Sequence, residues 1–313
     1  MSTSGSCRQG RPIAVVGPTA TGKSDLAVRL AQALGGGEVV NADAMQLYRG
    51  MDIGTAKLTG AERHGVPHHL LDVLEVTETA SVSAYQRQSR AAIDDVLRRG
   101  GTPILAGGSG LYVAAVLDEL DFPGTDPAVR AELEAELARV GPAELHRRLT
   151  IADPSAAARI LPSNGRRIVR ALEVVTITGR PFSAFLPSRR VAWRGTVLVG
   201  LDRPTEELDE RIDCRVAHMF ATGLVDEVRE LLARGLAAGC TASTALGYRQ
   251  VIAALNGEST LEQAAADTAA ATRRFVRRQR SWFRRDQRIR WLDAGRPDLL
   301  AATLALCRPE SGP

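Results

Sequence analysis

Gly17 to Ser24 reads GPTATGKS and fits the pattern GxxxxGK[ST], which collects the groups needed to seat a phosphate chain. Gly17 and Gly22 let the backbone from Pro18 to Thr21 turn the N–H groups of Thr19, Ala20 and Thr21 inward, and the helix that follows adds its positive end. Lys23 can reach terminal phosphate oxygens, and the Ser24 hydroxyl can ligate Mg²⁺. Such a seat takes a diphosphate or a triphosphate, and the motif does not say which. Further along, Asp43 stands in a polar run where a carboxylate could act as a base, help hold a metal or simply cap a turn. Gly107 to Tyr112 (GGSGLY) sets the Ser109 hydroxyl on a glycine turn, as a ligand contact or as a helix cap. Arg211 and Arg215 are a helical turn apart, a guanidinium pair suited to phosphate, although Glu207 and Arg211 have the same spacing and would make an ordinary surface pair.

Other residue types exclude other chemistry. His68 and His69 have no partners at metal-ligand spacing and read as structural histidines. Cysteines 7, 214, 240 and 307 lie far apart with no CxxC pair, so they read as reduced thiols. No apolar run approaches the ~20 residues needed to cross a bilayer, and the polar start MSTSGSCRQGRP lacks the apolar centre of a secretory signal. A cytoplasmic protein without a membrane partner is expected. The net charge is only +4, yet the stretch from Thr272 to Trp291 is crowded with arginines against a single acid, Asp286. Such local basicity favours a polyanionic partner.

The elements that must hold these residues alternate between strand and helix. Strands are expected at Ile13–Val16, Glu38–Asn41, His68–Leu74 and Thr102–Ala106, with helices over residues 25–34 and 83–99, the second capped by Ser83. From Asp121 the turn-rich FPGTDP opens a stretch of helical patterns at residues 127–140, 142–149 and 164–178, with no convincing strand. Strand character returns at Thr196–Asp202, and helices follow at residues 205–221, 225–234, 243–255 and 261–285 before a last strand at Ile289–Leu292. In the last long helix, Phe275, Gln279 and Trp282 recur at helical spacing, so that face should pack while the other displays arginines. The alternation argues for an α/β fold, a P-loop NTPase-like parallel sheet flanked by helices, with an inserted small all-helical domain, and 313 residues with 44% hydrophobic content are enough for a packed core. The expected division is a discontinuous core of residues 11–120 and 196–313, an insertion at 121–195 and a flexible tail at 1–10.

These segments in this order resemble the tRNA dimethylallyltransferase (isopentenyltransferase) family. The matching stretches are GPTATGKS at Gly17, NADAMQLYRGMDIGTAK at Asn41, VPHHLLDV at Val66, GGSGLY at Gly107, RRIVRALEV at Arg166, LGYRQ at Leu246 and TRRFVRRQRSWFRR at Thr272. The DIGTAK tail and the GYRQ segment are far more specific than a phosphate loop. Departures are small: Ser24 and Ser109 stand where threonine is frequent, and Ala44 where serine is common. The resemblance is to the bacterial type, without the carboxy-terminal zinc-finger region of eukaryotic relatives.

The resemblance implies transfer of a dimethylallyl group from dimethylallyl diphosphate to the N6 amine of the adenosine adjacent to the anticodon, with Mg²⁺ as cofactor and ATP not consumed. Asp43 would be the base, Ser109 would orient the amine, and Lys23, the loop N–H groups, Mg²⁺ on Ser24 and Arg215 would stabilise the leaving diphosphate. The resemblance further implies that a monomer grips the anticodon stem-loop. Its contacts would be Asp43, Ala44, Met45 and Gln46, then Ser109 and Arg130, then Arg166, Arg167, Ile168, Val169 and Arg170, and then Ala245, Leu246, Gly247, Tyr248, Arg249 and Gln250. Arg277, Arg278 and Arg284 of the arginine-rich helix are read as phosphate contacts. The alternatives are a small-molecule kinase on the same phosphate loop, an RNA-binding nucleotide switch, and a prenyltransferase acting on free adenine nucleotides.

Overall fold

The computed structural model describes residues 11–185 and 192–308, with the side chains of residues 184 and 185 outside the description. Six parallel strands lie in the order β3-β2-β4-β1-β5-β6: β1 Ile13–Val16, β2 Gly37–Asn41, β3 His68–His69, β4 Thr102–Gly107, β5 Val197–Asp202 and β6 Arg290–Asp293. The period of two in a strand decides which layer each residue enters. Ala14 and Val16 join Val40, Leu105 and Leu198 in one buried cluster, whereas Ile13 and Val15 join Val39, Ile104 and Leu201 in the other. Both faces of the sheet are therefore covered, as parallel strands require.

The second of those clusters is closed by helix α1 (Lys23–Ala33) and, at the far end of the chain, α11 (Leu299–Cys307). The first is closed by α2 (Val82–Arg98) and α3 (Gly110–Leu117), together with Phe283 of α10 (Leu261–Phe283). Helices α7 (Thr205–Ala221), α8 (Leu224–Ala233) and α9 (Tyr248–Leu255) stand beside α10 around two further apolar clusters. The chain divides into two compact units, Met1–Leu117 with Ala192–Pro313, and Asp118–Val191. The smaller unit holds α4 (Pro127–Ala152, kinked at Gly141 and Pro142), α5 (Pro154–Ala157) and α6 (Gly165–Thr178), packed around Leu133, Leu145, Leu149, Ile168 and Leu172. No helix among the described residues is long and apolar enough to cross a membrane.

Several local expectations need correction. The cap of α2 is Ser81, whose side chain accepts from the Ala84 N–H, because the helix begins at Val82, before Ser83. Strand pairing after Pro67 stops at His69 and resumes only as an isolated bridge between Tyr48 and Leu74, since Leu70 and Asp72 take positive φ angles of 61° and 57° and turn the chain away. Residues 243–255 form a short 3-10 turn at Ala242–Thr244 and then α9, interrupted at Gly247 with φ 88°. Both histidines are satisfied: His68 Nδ1 meets the Val66 carbonyl at 2.8 Å, and His69 Nε2 meets Glu38 at 2.6 Å. Hydrogen bonds from Arg99, helped by His69, hold the Glu38 carboxyl down at about 2.

The packed stripe of α10 also differs from the one read at residues 275, 279 and 282. Over residues 275–283 Val276, Gln279 and Phe283 are the buried residues, whereas Trp282 is 40% exposed with its indole against Gly110, and Phe275 is half-buried beneath Arg278. Both triads satisfy the same helical spacing, so only the position of the sheet chooses between them. Phe283→Ala should lower stability by about 3–5 kcal/mol, while Trp282→Ala should cost about 1 kcal/mol or less. Chemical denaturation of the two variants measures the difference directly.

Candidate functional site

All six strands are parallel, so every loop after a strand end opens on the same edge of the sheet, where ligands of such folds are met. Register makes the convergence specific. Val16 lies opposite Gly107, and Asn41 opposite Ala106, so the phosphate loop, Asp43 and the GGSG turn leave the sheet at one level. They border a cleft of about 730 Å³ lined by Thr19, Ala20, Gly22, Lys23, Ser24, Asp43, Gln46, Arg211 and Arg215, with Asp52, Ile53, Thr55 and Ala56 on another wall.

Each wall is internally braced. In the phosphate loop, the Pro18 carbonyl accepts from the Thr21 hydroxyl at 2.9 Å and from Lys23 Nζ at 2.6 Å. Arg211 Nε reaches in from α7 to the Ala20 carbonyl at 2.8 Å. Gln279 of α10 uses both ends of its amide. Its Oε1 accepts from the Thr19 N–H at 2.9 Å, and its Nε2 donates to the Gly108 carbonyl at 2.9 Å. Gly108 leaves room for this bridge, because a Cβ there would stand 2.4 Å from Nε2. The GGSG turn is tied in its turn to the β2 loop: the Ser109 N–H donates to the Ala42 carbonyl at 3.2 Å, and Ser109 Oγ accepts from the Ala44 N–H at 3.1 Å. Ser109 thus keeps its own O–H to donate.

Buried Asn41 fixes the Asp43 backbone from both sides, accepting its N–H and donating to its carbonyl at 2.9 Å each. One Asp43 oxygen accepts the Met45 N–H at 3.0 Å, and the side chain borders the cleft. Arg215 donates to the Thr55 carbonyl at 3.3 Å, and Gln46 donates to the same oxygen at 3.1 Å. Burial, with Arg215 close by, pushes the Lys23 ammonium down to about 8, against an opposing pull from Asp43. Burial also lowers Arg215, and Asp43 opposes that shift. Cations gathered at the mouth of such a cleft repel one another until an anion arrives between them.

The residues outside the cleft separate by exposure. Arg166 and Arg167 are exposed on α6, whereas Ile168 and Val169 are core residues of the small unit. Arg130 and Arg170 both bind the fully buried Glu173 of α6, at 2.5 and 2.7 Å; Arg130 thereby ties α4 to α6, while Arg170, on α6 itself, also donates to the Pro123 and Gly124 carbonyls. In the 245–250 segment only Arg249 is exposed; Ala245, Tyr248 and Gln250 are buried, Leu246 is half-buried, and Gly247 is fixed by the Gln250 side chain at 2.9 Å. Arg277 and Arg284 are exposed but meet acids from other elements, Asp209 at 3.9 Å and Asp202 at 3.1 Å. Arg273 pairs with Asp213 in the same way. The scarcity of acids around the arginines is therefore local to the sequence, because α7 and the end of β5 supply them in space. Arg274, Arg278 and Arg285 are the exposed arginines of this stretch with no ion pair among the described residues, and Arg278 lies over the Phe275 ring at 5.7 Å.

Comparison with known proteins shows the family of the chain. The IPP transferase family model matches residues 46–286. A tRNA dimethylallyltransferase of Saccharopolyspora erythraea is 66% identical over 308 residues, covering 98% of this chain and 99% of the relative, and that of Salinispora arenicola is 64% identical, covering 96% and 87%. The chain belongs to the tRNA dimethylallyltransferase family. Membership makes it an enzyme of tRNA modification that transfers a prenyl group, on the parallel α/β fold described above. Among solved structures it is similar to a tRNA isopentenylpyrophosphate transferase of Bacillus halodurans, with a TM-score of 0.68 and 38% identity, covering 95% of this chain and 96% of that one. It is also similar to a eukaryotic dimethylallyltransferase acting on tRNA, with a TM-score of 0.80 and 27% identity, covering 95% and 78%.

From the sequence Gln279 reads only as a position on the packing face of its helix, and Asn41, Glu227 and Lys57 are assigned no role. The one signal available for Gln279 was its polarity on an apolar stripe, since a buried amide has to find partners. The lowered Lys23 value has a measurable consequence. An anion prefers the charged ammonium, so affinity for a diphosphate ligand should be level near pH 7 and fall as pH rises through about 8. Titrating binding from pH 6.5 to 9.5 should show this fall in the parent and a much flatter curve in Lys23→Ala.

Proposed function

We propose that the cleft binds dimethylallyl diphosphate with its diphosphate on the phosphate loop, and receives the N6 amine of the adenosine adjacent to the anticodon beside Asp43. The observation that carries this reading is the placement of Asp43, Lys23 and Arg215 around one cleft, a carboxylate facing two cations where an anionic leaving group departs. As the amine nitrogen bonds to the allylic carbon, the carbon–oxygen bond to the diphosphate breaks and the N6 proton passes to Asp43. An exocyclic amine is a weak nucleophile because its lone pair is delocalised into the ring, so removing that proton lowers the barrier. The Asp43 oxygen not held by Met45 is the acceptor, and the Ser109 O–H orients the amine. Lys23, Arg215 and the loop N–H groups stabilise the negative charge that develops on the diphosphate. Drawing the base out of its stack into a cleft also keeps water from the allylic centre.

Mg²⁺ fits this site as a partner of the diphosphate. No group of three or more His, Cys, Asp or Glu among the described residues could cage a metal, while Ser24 places one hydroxyl on the cleft wall. One protein oxygen is enough for an ion that takes its other ligands from phosphate and water. When bound, it would neutralise charge on the departing diphosphate. The anticodon stem-loop meets the chain at exposed cations, Arg278, Arg274 and Arg285 on α10 and Arg166 and Arg167 on α6, together with residues 43–46 and Arg249. The working form in this reading is a monomer in the cytoplasm, where tRNA is found.

Incubation with dimethylallyl diphosphate, Mg²⁺ and total tRNA, followed by nucleoside analysis, should yield N6-dimethylallyladenosine without ATP. A requirement for ATP, or modification of free adenine nucleotides in preference to tRNA, would contradict the reading. Asp43→Asn should keep both substrates bound within a few-fold while lowering turnover by roughly 10² or more. Turnover within threefold of the parent would remove Asp43 from the base role.

A further inference from the structure

The wall of the cleft formed by Asp52 to Lys57 has no helix or strand to satisfy its backbone, so its N–H groups need partners from elsewhere. Three of them find a single carboxylate. The N–H groups of Asp52, Ile53 and Gly54 donate to Glu227 of α8 at 3.1, 2.7 and 3.2 Å. A fourth donor completes the set, the Tyr248 hydroxyl at 2.5 Å. Bonds to an ionised acceptor are the stronger kind, and four of them define the position of the loop more narrowly than packing alone. Tyr248 is fully buried, and its ring passes so close beneath Gly54 that a Cβ there would stand 2.4 Å from Cε2. Burial and the neighbouring Glu227 hold the phenol well above its ordinary range, so it remains a donor at any working pH.

The clamp continues into the site. Beyond Gly54, the Thr55 carbonyl accepts from Arg215 at 3.3 Å and from Gln46 at 3.1 Å. The far end of the loop is tied down by Lys57, whose ammonium donates to the Tyr48 carbonyl at 2.9 Å, Asp52 at 2.5 Å and Asp72 at 2.6 Å. Between these anchors, Ile53, Thr55 and Ala56 face the cleft.

We propose that Glu227 and Tyr248 are positioning residues of the active site, a latch that sets the 52–56 loop and, through the Thr55 carbonyl, the Arg215 guanidinium that meets the diphosphate of the allylic substrate. The inference rests on the diphosphate reading given above. It assigns a task to the buried part of the LGYRQ segment, whose tyrosine cannot reach an RNA from the core but does reach Glu227. It also gives the hydroxyl of Tyr248 a purpose that a phenylalanine could not serve.

The test uses Tyr248→Phe, which keeps the ring under Gly54, and Glu227→Gln, which keeps the shape of the clamp and removes its charge. Direct binding of dimethylallyl diphosphate with Mg²⁺, direct binding of tRNA, and melting temperature are measured on all three proteins. Tyr248→Phe should weaken the diphosphate substrate about 3- to 10-fold, and Glu227→Gln about 10-fold or more, with tRNA affinity within twofold of the parent. A folded Tyr248→Phe that melts earlier yet binds the diphosphate as the parent does would make the latch purely structural and overturn the proposal. Equal losses for diphosphate and tRNA would overturn it as well. Should Glu227→Gln fail to fold, Tyr248→Phe decides. A parent that does not bind dimethylallyl diphosphate would instead overturn the diphosphate reading of the cleft, which separates the two failures.

Discussion

One side-chain amide holds the two halves of the site together. Gln279, buried on α10, joins the Thr19 N–H of the phosphate loop to the Gly108 carbonyl of the turn after β4. Each bond contributes only about 1 kcal/mol net, yet leaving a buried amide or a loop N–H unmet costs about 1–3 kcal/mol, so the arrangement resists partial loss. Through Ser109 the same turn holds Ala44, and through Asn41 the β2 loop holds Asp43. A carboxylate nineteen positions beyond the phosphate loop is thereby fixed against it by a chain of hydrogen bonds that starts from a helix near the end of the protein.

Charge explains why that rigidity matters. Lys23, Arg211 and Arg215 crowd one cleft, and burial, with their mutual repulsion second, lowers the charged form of Lys23 and of Arg215. Fixed cations that are poorly paired in the free protein gain most when negative charge develops between them, which happens as a diphosphate departs. The arginine helix works differently. Much of its charge is met by Asp202, Asp209 and Asp213, so it is a braced element that leaves a few guanidiniums for a polyanion, and not an unpaired basic face.

The sequence made the phosphate loop, the alternation of strand and helix, and the position of Asp43 legible because each is local: a motif, a period of two, a strand followed by a polar run. The parallel six-stranded sheet agrees with that reading. What was not legible depends on residues distant in the chain. Phe275 and Trp282 share the helical spacing of Val276 and Phe283, and only the sheet beneath chooses which face is buried. Apart from Asp286, which pairs with Arg288, the acids that pair these arginines lie 60 or more positions away. Tyr248 in GYRQ reads as a contact for RNA until the fold places it beneath Gly54, bonded to Glu227.

The central claim is that catalysis depends on the phosphate loop and the β4 turn being held in one geometry. Gln279→Leu tests it most directly, because it keeps a side chain of similar reach and removes both hydrogen bonds. The account predicts a folded protein whose kcat/KM for prenyl transfer to tRNA falls about 10- to 100-fold, equivalent to about 1.4–2.7 kcal/mol. A folded Gln279→Leu protein with the kcat/KM of the parent would contradict it.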